Sequence, residues 1–276
     1  MILTLSLGYY FNDYHPTYLH QDHHLLEEKE VIKKMDTTPV DTPLRVMTYN
    51  IRYGKGEDGV QDLRRIAEII HKAGVEIVGL QEVETFSPRS QYVNQARWLA
   101  EELGMYAIYS PALSVGPYHY GNAILSRYPI TYYSNQPLQS SREPRNYIKA
   151  RIDVNGEEIL FITTHLGLSQ GERLDHIQQL LKSIKEHSLP VVLVGDLNCT
   201  PEAKEIKQIR GLMNDSHQKS GFDKGLTFPS QEPRYRIDYI FATPDIQLLK
   251  SKGINSMVSD HLPVIAEMII PKRIDN

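Results

Sequence analysis

The chain has 276 residues, 41% of them hydrophobic, enough for one or two soluble domains with a sizeable core. Its formal charge of −4 excludes a global basic field that would advertise a nucleic-acid partner, and its single cysteine, Cys199, excludes an intrachain disulfide. No run approaches the roughly 18–20 apolar residues that span a bilayer, and this cysteine usage suits a reducing compartment, so a cytoplasmic location is expected.

Residues 1–43 differ from the rest of the chain. They carry His15, His20, His23 and His24 at no standard metal-site spacing, and a charged LLEEKEVIKK too short for a stable lone helix. In DTTPVDTP, Pro39 and Pro43 each disfavour helix in the residue before. The apolar run Ile2–Leu7 has no Lys or Arg ahead of it and no small-residue cleavage site after it, so it does not read as a signal peptide. We expect a poorly ordered tail over 1–43 and one domain over 44–276. Everything recognisable begins after Pro43, which makes Met35 a candidate start.

From Leu44 onward, strand-like and helix-like stretches interleave. LRVMTYN reads as a strand ending at Asn50, and DGVQDLRRIAEIIHKAG as a helix with Leu63, Ile66, Ala67, Ile69 and Ile70 at helical spacing and Gly74 as its stop. EIVGLQE comes next as a strand ending at Glu82. QARWLAEELGM repeats the helical pattern through Leu99 and Leu103 and closes at Gly104. YIKARIDV and EEILFITTH read as a hairpin turning at Asn155-Gly156. ERLDHIQQLLKSIKEH is a third helix, with Leu174, Ile177, Leu181 and Ile184 on one face, and VVLVGDLN and RIDYIF are further strands. Hairpins mixed with helical crossovers suit two packed sheets flanked by helices.

Polar residues recur just past these apolar runs: Asn50, Glu82, His165, Asp196, Asn198, Asp238 and the triplet Ser259-Asp260-His261. A hard divalent cation and a phosphate need carboxylates, amides and imidazoles in one pocket. The segments TYNIR, QEV, GNAILSR, THL, GDLN, RIDYIF and SDHLP, in this order, resemble the endonuclease/exonuclease/phosphatase superfamily of Mg²⁺-dependent phosphoesterases. That superfamily includes deoxyribonuclease I, abasic-site endonucleases, neutral sphingomyelinases and inositol-polyphosphate 5-phosphatases. The resemblance runs from about Leu44 to the end of the chain. It implies an α/β fold, a four-layer α/β/β/α sandwich of two packed mixed sheets flanked by helices, with the active site at one end of the sheets.

The residues suggest roles, and the resemblance sharpens them. Glu82 is placed to bind Mg²⁺ and is implied to be the principal metal ligand; Asn50 and Asp260 complete the metal set, with Mn²⁺ an acceptable substitute. Asp238 is expected to pair with His261 and hold its tautomer, and His261 to contact phosphate oxygens or move protons. Asp196 is the candidate that orients or deprotonates the attacking water, and Asn198, facing the same way on an extended segment, would hold that water or a phosphate oxygen. The resemblance gives His165 the leaving oxygen or the transition state. Asn122 is expected to border the pocket, Arg145 and, more weakly, Arg173 to bind phosphate, and the loops 85–91 and 114–120 to set specificity. Cys199 occupies a small, variable position of its motif and is not expected to act as a nucleophile.

The expected reaction is in-line displacement by water at phosphorus, on a lipid headgroup or another small phosphoester, monoester or diester. A nuclease is the alternative, but it would want a basic groove, and Arg89, Arg97, Arg127, Arg142, Arg145 and Arg151 are scattered. A catalytically inactive binding module is disfavoured because the full set of site residues is present. Oligomeric state is left open.

Overall fold

The computed structural model of the chain describes residues 18–19, 43–220 and 224–272. Apart from Tyr18–Leu19, the expected tail, its LLEEKEVIKK stretch and the candidate start at Met35 lie outside the described residues. In chain order the elements are β1 (Tyr18–Leu19), β2 (Leu44–Asn50), α1 (Leu63–Ala73), β3 (Ile77–Thr85), α2 (Gln95–Leu103), β4 (Tyr106–Val115) and β5 (Tyr118–Ser126). After them come β6 (Ile130–Leu138), β7 (Arg145–Val154), β8 (Glu157–His165), α3 (Gln170–Lys185), β9 (Val191–Asp196) and α4 (Lys204–Arg210). The last are β10 (Asn214–Asp215), α5 (Ser216–Ser220), β11 (Asp238–Ala242), β12 (Gln247–Gly253) and β13 (Val264–Ile269).

Two mixed sheets form. One runs β1-β4-β5-β3-β2-β13-β12, the other β10-β11-β9-β8-β7-β6. Of the three parallel pairs among the described residues, β2–β3 and β8–β9 are bridged by α1 and α3, as a parallel connection requires, and the third joins β1 to β4. Period-two alternation then sorts the side chains into layers. Ile77, Ile108 and Ile124 from the first sheet meet Phe161, Val192 and Val194 from the second in the central core. On the outer face of the first sheet, Met47, Val78 and Leu80 pack on Ile66 and Ile70 of α1 and Leu99 of α2. On the outer face of the second, Leu160, Ile162 and Leu193 pack on Ile177 and Leu180 of α3 and Ile206 and Ile209 of α4. The result is the expected four-layer α/β/β/α sandwich. Its layers press closely: a Cβ on Gly79 would lie 2.7 Å from Thr163 Oγ1 of the facing sheet.

The helices begin and end where local chemistry dictates. Asp62 caps α1 by accepting from Arg64 N, and Asn94 caps α2 by accepting from Arg97 N. Both helices stop at a left-handed glycine, Gly74 (φ 61°) and Gly104 (φ 62°). The β7–β8 turn at Asn155 (φ 57°) and Gly156 (φ 95°) is the expected two-residue primed turn. The buried face of α3 differs from the expected one: Leu180 is buried, whereas Leu174 and Leu181 are only half-buried. Arg173 and His176 also face inward, to Glu205 on α4 and to the Gln139 carbonyl, and this rotates the stripe. The stretch 114–120 is the tip of the β4–β5 hairpin rather than a loop. Among the described residues no helix is long and apolar enough to cross a membrane.

Candidate active site

The sheets bring the predicted polar residues to one end. In the second sheet His165, the last residue of β8, is in register with Asp196, the last of β9, and Asp196 with Asp238, the first of β11. In the first sheet β2 delivers Asn50 opposite Gln81. Glu82 is not the end of its strand as expected, since β3 runs on to Thr85. It sits instead at a bulge, where Gln81 and Glu82 together oppose Asn122 of β5, and its φ of 57° is left-handed. Asn198 departs from the expected extended segment too. Its φ is 50°, and its backbone N–H donates to Asp196 Oδ1 at 2.9 Å, so the chain turns immediately after β9.

Asn50 ties the two sheets together. Its Nδ2 donates to Glu82 Oε1 and to Asp196 Oδ2, both at 3.1 Å, while its Oδ1 accepts from Arg52 N at 3.1 Å. As oriented it presents N–H groups, not oxygen, to the carboxylates. Asp196 Oδ2 is the focus of the site: His165 Nε2 lies 3.4 Å away and His261 Nε2 3.6 Å away. The expected Asp238–His261 pair is present, with His261 Nδ1 2.9 Å from Asp238 Oδ2. Phe228 stacks obliquely on the imidazole at 4.8 Å. Ser259 fixes the segment, donating to Asn50 O at 2.7 Å and accepting from His261 N at 3.3 Å.

Electrostatics separate these groups. Burial raises the pKa of Asp196, as does Asp238, against the His261 charge and the hydrogen bonds that lower it. Burial alone would lower His261, but the charges of Asp238 and Asp196 outweigh it and raise its pKa. His165 is driven well below its ordinary value, first by burial and then by the Arg145 and His261 charges. Glu82 is raised, first by burial and also by the like charge of Asp260, despite its bond from Asn50. Asp260 is held by Arg52 Nε at 3.4 Å.

Glu82, its carboxyl raised by burial and by the charge of neighbouring Asp260, is a hard oxygen donor that a divalent cation suits, and Asp260 is a second one beside it. Glu82 and Asp260 are therefore the pair that could hold it. Asp196, Asp238 and His261 also bring their ligand atoms within 4.8 Å of one another and could bind a metal; there Asp238 Oδ2 is engaged by the His261 ring and its buried Oδ1 has no hydrogen-bond partner.

The second-tier residues divide. Asn122 lies mid-strand and buried, donating to Asn146 Oδ1 at 2.7 Å, with its own Oδ1 unpartnered. Arg145 reaches the site: its Nη1 is 3.2 Å from His165 Nδ1. Arg173 does not serve phosphate here. It is buried in an ion pair with Glu205 at 2.9 Å and donates to Leu168 O at 2.6 Å. Cys199 is buried, and burial pushes its thiol up to about 12. The sequence reading missed Tyr120, whose phenol is hydrogen-bonded to Arg145 and feels the Glu82 charge. It missed Arg52 as the partner of Asp260. It also missed what joins the two segments expected to set specificity: buried Glu84 Oε1 takes Arg89 Nε at 2.5 Å and Tyr118 OH at 3.2 Å, while the Arg89 guanidinium sits 3.9 Å above the Tyr53 ring. A Glu two residues after Glu82 was the available signal.

A four-layer sandwich carrying acids, amides and paired imidazoles at one end defines a class of hydrolytic scaffold. The chain belongs to the endonuclease/exonuclease/phosphatase family, whose profile matches residues 47–261. Members of that family are hydrolases acting on phosphoester or nucleic-acid substrates, generally with a divalent metal. The chain is similar to the uncharacterized protein YbhP of Escherichia coli K12, with 26% identity over 228 residues, 75% of this chain and 88% of that one. It is 30% identical to human tyrosyl-DNA phosphodiesterase 2 over 84 residues, 29% of this chain and 23% of that one. The Bacteroides thetaiotaomicron mannosyl-6-phosphatase Bt3783 shares the fold, with a TM-score of 0.70 and 21% identity over 82% of this chain and all of that one.

Proposed function

We propose that the protein is a Mg²⁺-dependent phosphoesterase that hydrolyses a lipid headgroup or another small phosphoester, monoester or diester, by in-line attack of water. The observation that carries this reading is the convergence of Asn50, His165 and His261 on Asp196 Oδ2 beside the Glu82–Asp260 pair. Glu82 and Asp260 would hold the metal, with Asn50 orienting Glu82. When bound, Mg²⁺ (or Mn²⁺) supplies neutralisation of charge on the phosphate and the leaving oxygen. Asp196, its pKa raised toward neutrality, takes the proton of the attacking water, which Asn198 helps to hold. Asp238 keeps His261 protonated, and the imidazolium contacts the non-bridging oxygens. His165 faces the leaving oxygen. No protein nucleophile takes part.

A small ester is favoured over nucleic acid because the two guanidiniums at the site are already matched: Arg52 with Glu57 and Asp260, Arg145 with Glu143. Similarity to a mannosyl-6-phosphatase and to a tyrosyl-DNA phosphodiesterase frames the test from both sides. Hydrolysis of bis-p-nitrophenyl phosphate, p-nitrophenyl phosphate, sphingomyelin and plasmid DNA is measured with Mg²⁺ and with EDTA, beside Glu82→Ala. Metal-dependent release from lipid or small esters, abolished in Glu82→Ala while plasmid stays intact, supports the proposal. Plasmid nicking abolished in the same way makes the protein a nuclease. Wild-type activity in Glu82→Ala refutes the site.

A further inference from the structure

The two histidines at the centre are wired in opposite senses. Both turn Nε2 toward Asp196 Oδ2, but behind His261 stands a carboxylate, whereas behind His165 stands a guanidinium. Arg145 opens β7 and is 6% exposed. Its Nη1 lies 3.2 Å from His165 Nδ1 and 2.9 Å from Glu143 Oε1, and Tyr120 OH is a further partner. The arginine is thus held from β5, from the segment before β7 and from β8.

A guanidinium has five N–H donors and no acceptor, and it keeps its charge in a protein. A ring nitrogen hydrogen-bonded to it must be bare. We propose that Arg145 is a positioning residue that locks His165 in the neutral tautomer carrying its proton on Nε2. On that side Nε2 meets Asn198 Nδ2 at 3.0 Å and Asp196 Oδ2 at 3.4 Å. Asn198 Nδ2 is a donor too, with one N–H on Leu166 O at 2.9 Å and the other toward Nε2, so both ring nitrogens face N–H groups. Of these neighbours only the Asp196 carboxylate can accept the ring's one proton, and it lies on the Nε2 side.

The consequence is a division of labour between two like side chains. Asp238 holds the Nδ1 proton of His261 and favours its cation, while Arg145 denies His165 both the Nδ1 proton and the charge. His165 is then confined to donating a neutral Nε2–H hydrogen bond to an oxygen at the reacting centre. Which oxygen that is rests on the phosphoesterase reading; the tautomer does not.

The test is a long-range ¹H–¹⁵N correlation spectrum of the full chain with ¹⁵N-labelled histidine, at neutral pH in EDTA, the His165 signals being assigned by their loss in His165→Gln. The expected pattern is a protonated Nε2 and a bare Nδ1. Arg145→Gln can offer its carbonyl to an Nδ1 proton, so the ring shifts to the other tautomer or a mixture; Arg145→Lys can only donate and keeps the wild-type pattern. With bis-p-nitrophenyl phosphate, Arg145→Gln lowers kcat about 10²-fold with little change in KM, and Arg145→Lys recovers most of it. A protonated Nδ1 in the wild type overturns the proposal. So does an unchanged tautomer in Arg145→Gln, or a loss confined to KM, which would make Arg145 a substrate contact through its free Nε. The spectrum needs no substrate: if the ester is not hydrolysed but the tautomer behaves as stated, the functional reading fails and the lock stands. If Arg145→Gln does not fold, the wild-type and Arg145→Lys spectra decide.

Discussion

Asp215 and Asp196 are both enclosed aspartates of the second sheet, and they are compensated in opposite ways. Asp215 meets Arg210 Nη2 at 2.8 Å, the guanidinium of Arg236, and the His217 backbone N–H at 3.1 Å. Burial alone would raise its pKa, but the two arginines outweigh it and the carboxyl is held below its ordinary value. Asp196 has amides and imidazoles around it and other acids nearby, and its carboxyl is raised. Matched charge of the first kind fixes one conformation and leaves nothing to react. Mismatched charge of the second kind is available to bind a cation or move a proton, at some expense to stability.

The comparison breaks most visibly through activity. His261→Ala is expected to lower kcat by about 10²–10⁴-fold in protein that is still folded at the assay temperature, measured by turnover beside thermal denaturation. Wild-type turnover in that variant would remove the mismatched cluster from the chemistry.

Asp215→Asn should do the reverse. It leaves the buried Arg236 guanidinium and the half-buried Arg210 short of a counter-ion and is expected to cost about 3–5 kcal/mol in urea unfolding. The sign with pH comes from the depressed carboxyl: its contribution is complete above the unfolded value of about 4 and is lost as pH falls through the lower folded value. The destabilisation seen in Asp215→Asn should therefore shrink in acid. A variant that lost turnover and kept its stability would place Asp215 with the active site.

The smallest effect should be a gain. Glu82 is raised, so ionising it weakens the metal-free fold. In EDTA, Glu82→Gln should be more stable than wild type by about 1 kcal/mol at neutral pH. That advantage disappears as pH falls from the raised folded value to the ordinary glutamate value, where both states are protonated. Adding Mg²⁺ should raise the wild-type melting temperature and leave Glu82→Gln unmoved. Equal response of both proteins would show that the ion binds elsewhere.

Much of this architecture was legible in the chain. Gly74 and Gly104 stop their helices because only a residue tolerant of positive φ ends a helix cheaply, and Asn155-Gly156 turns its hairpin for the same reason. The site residues were visible because strand ends are where side chains escape the core. What could not be read is pairing across distance. Nothing local joins Arg145 to His165, Arg173 to Glu205 or Arg236 to Asp215; each pair meets only after the sheets assemble. The LL at 180–181 left two faces of α3 nearly equivalent, and the tertiary partners of Arg173 and His176 chose between them. Asn198 escaped for a subtler reason: a side chain two residues on from Asp196 shares its direction only while the backbone stays extended.

The bulge at Glu82 has a consequence for the phase of its strand. Before it, Val78 and Leu80 point to the helices and Gly79 to the opposite sheet; after it, Val83 again points to the helices, three positions on instead of two. The extra residue lets Gln81 reach Thr163 across the interior while Glu82 turns to Asn50. Deleting one of the two would restore strict alternation. It would force the chain to give up either the bridge between the sheets or the carboxylate at the site, so this strand tolerates substitution here more readily than any change of length.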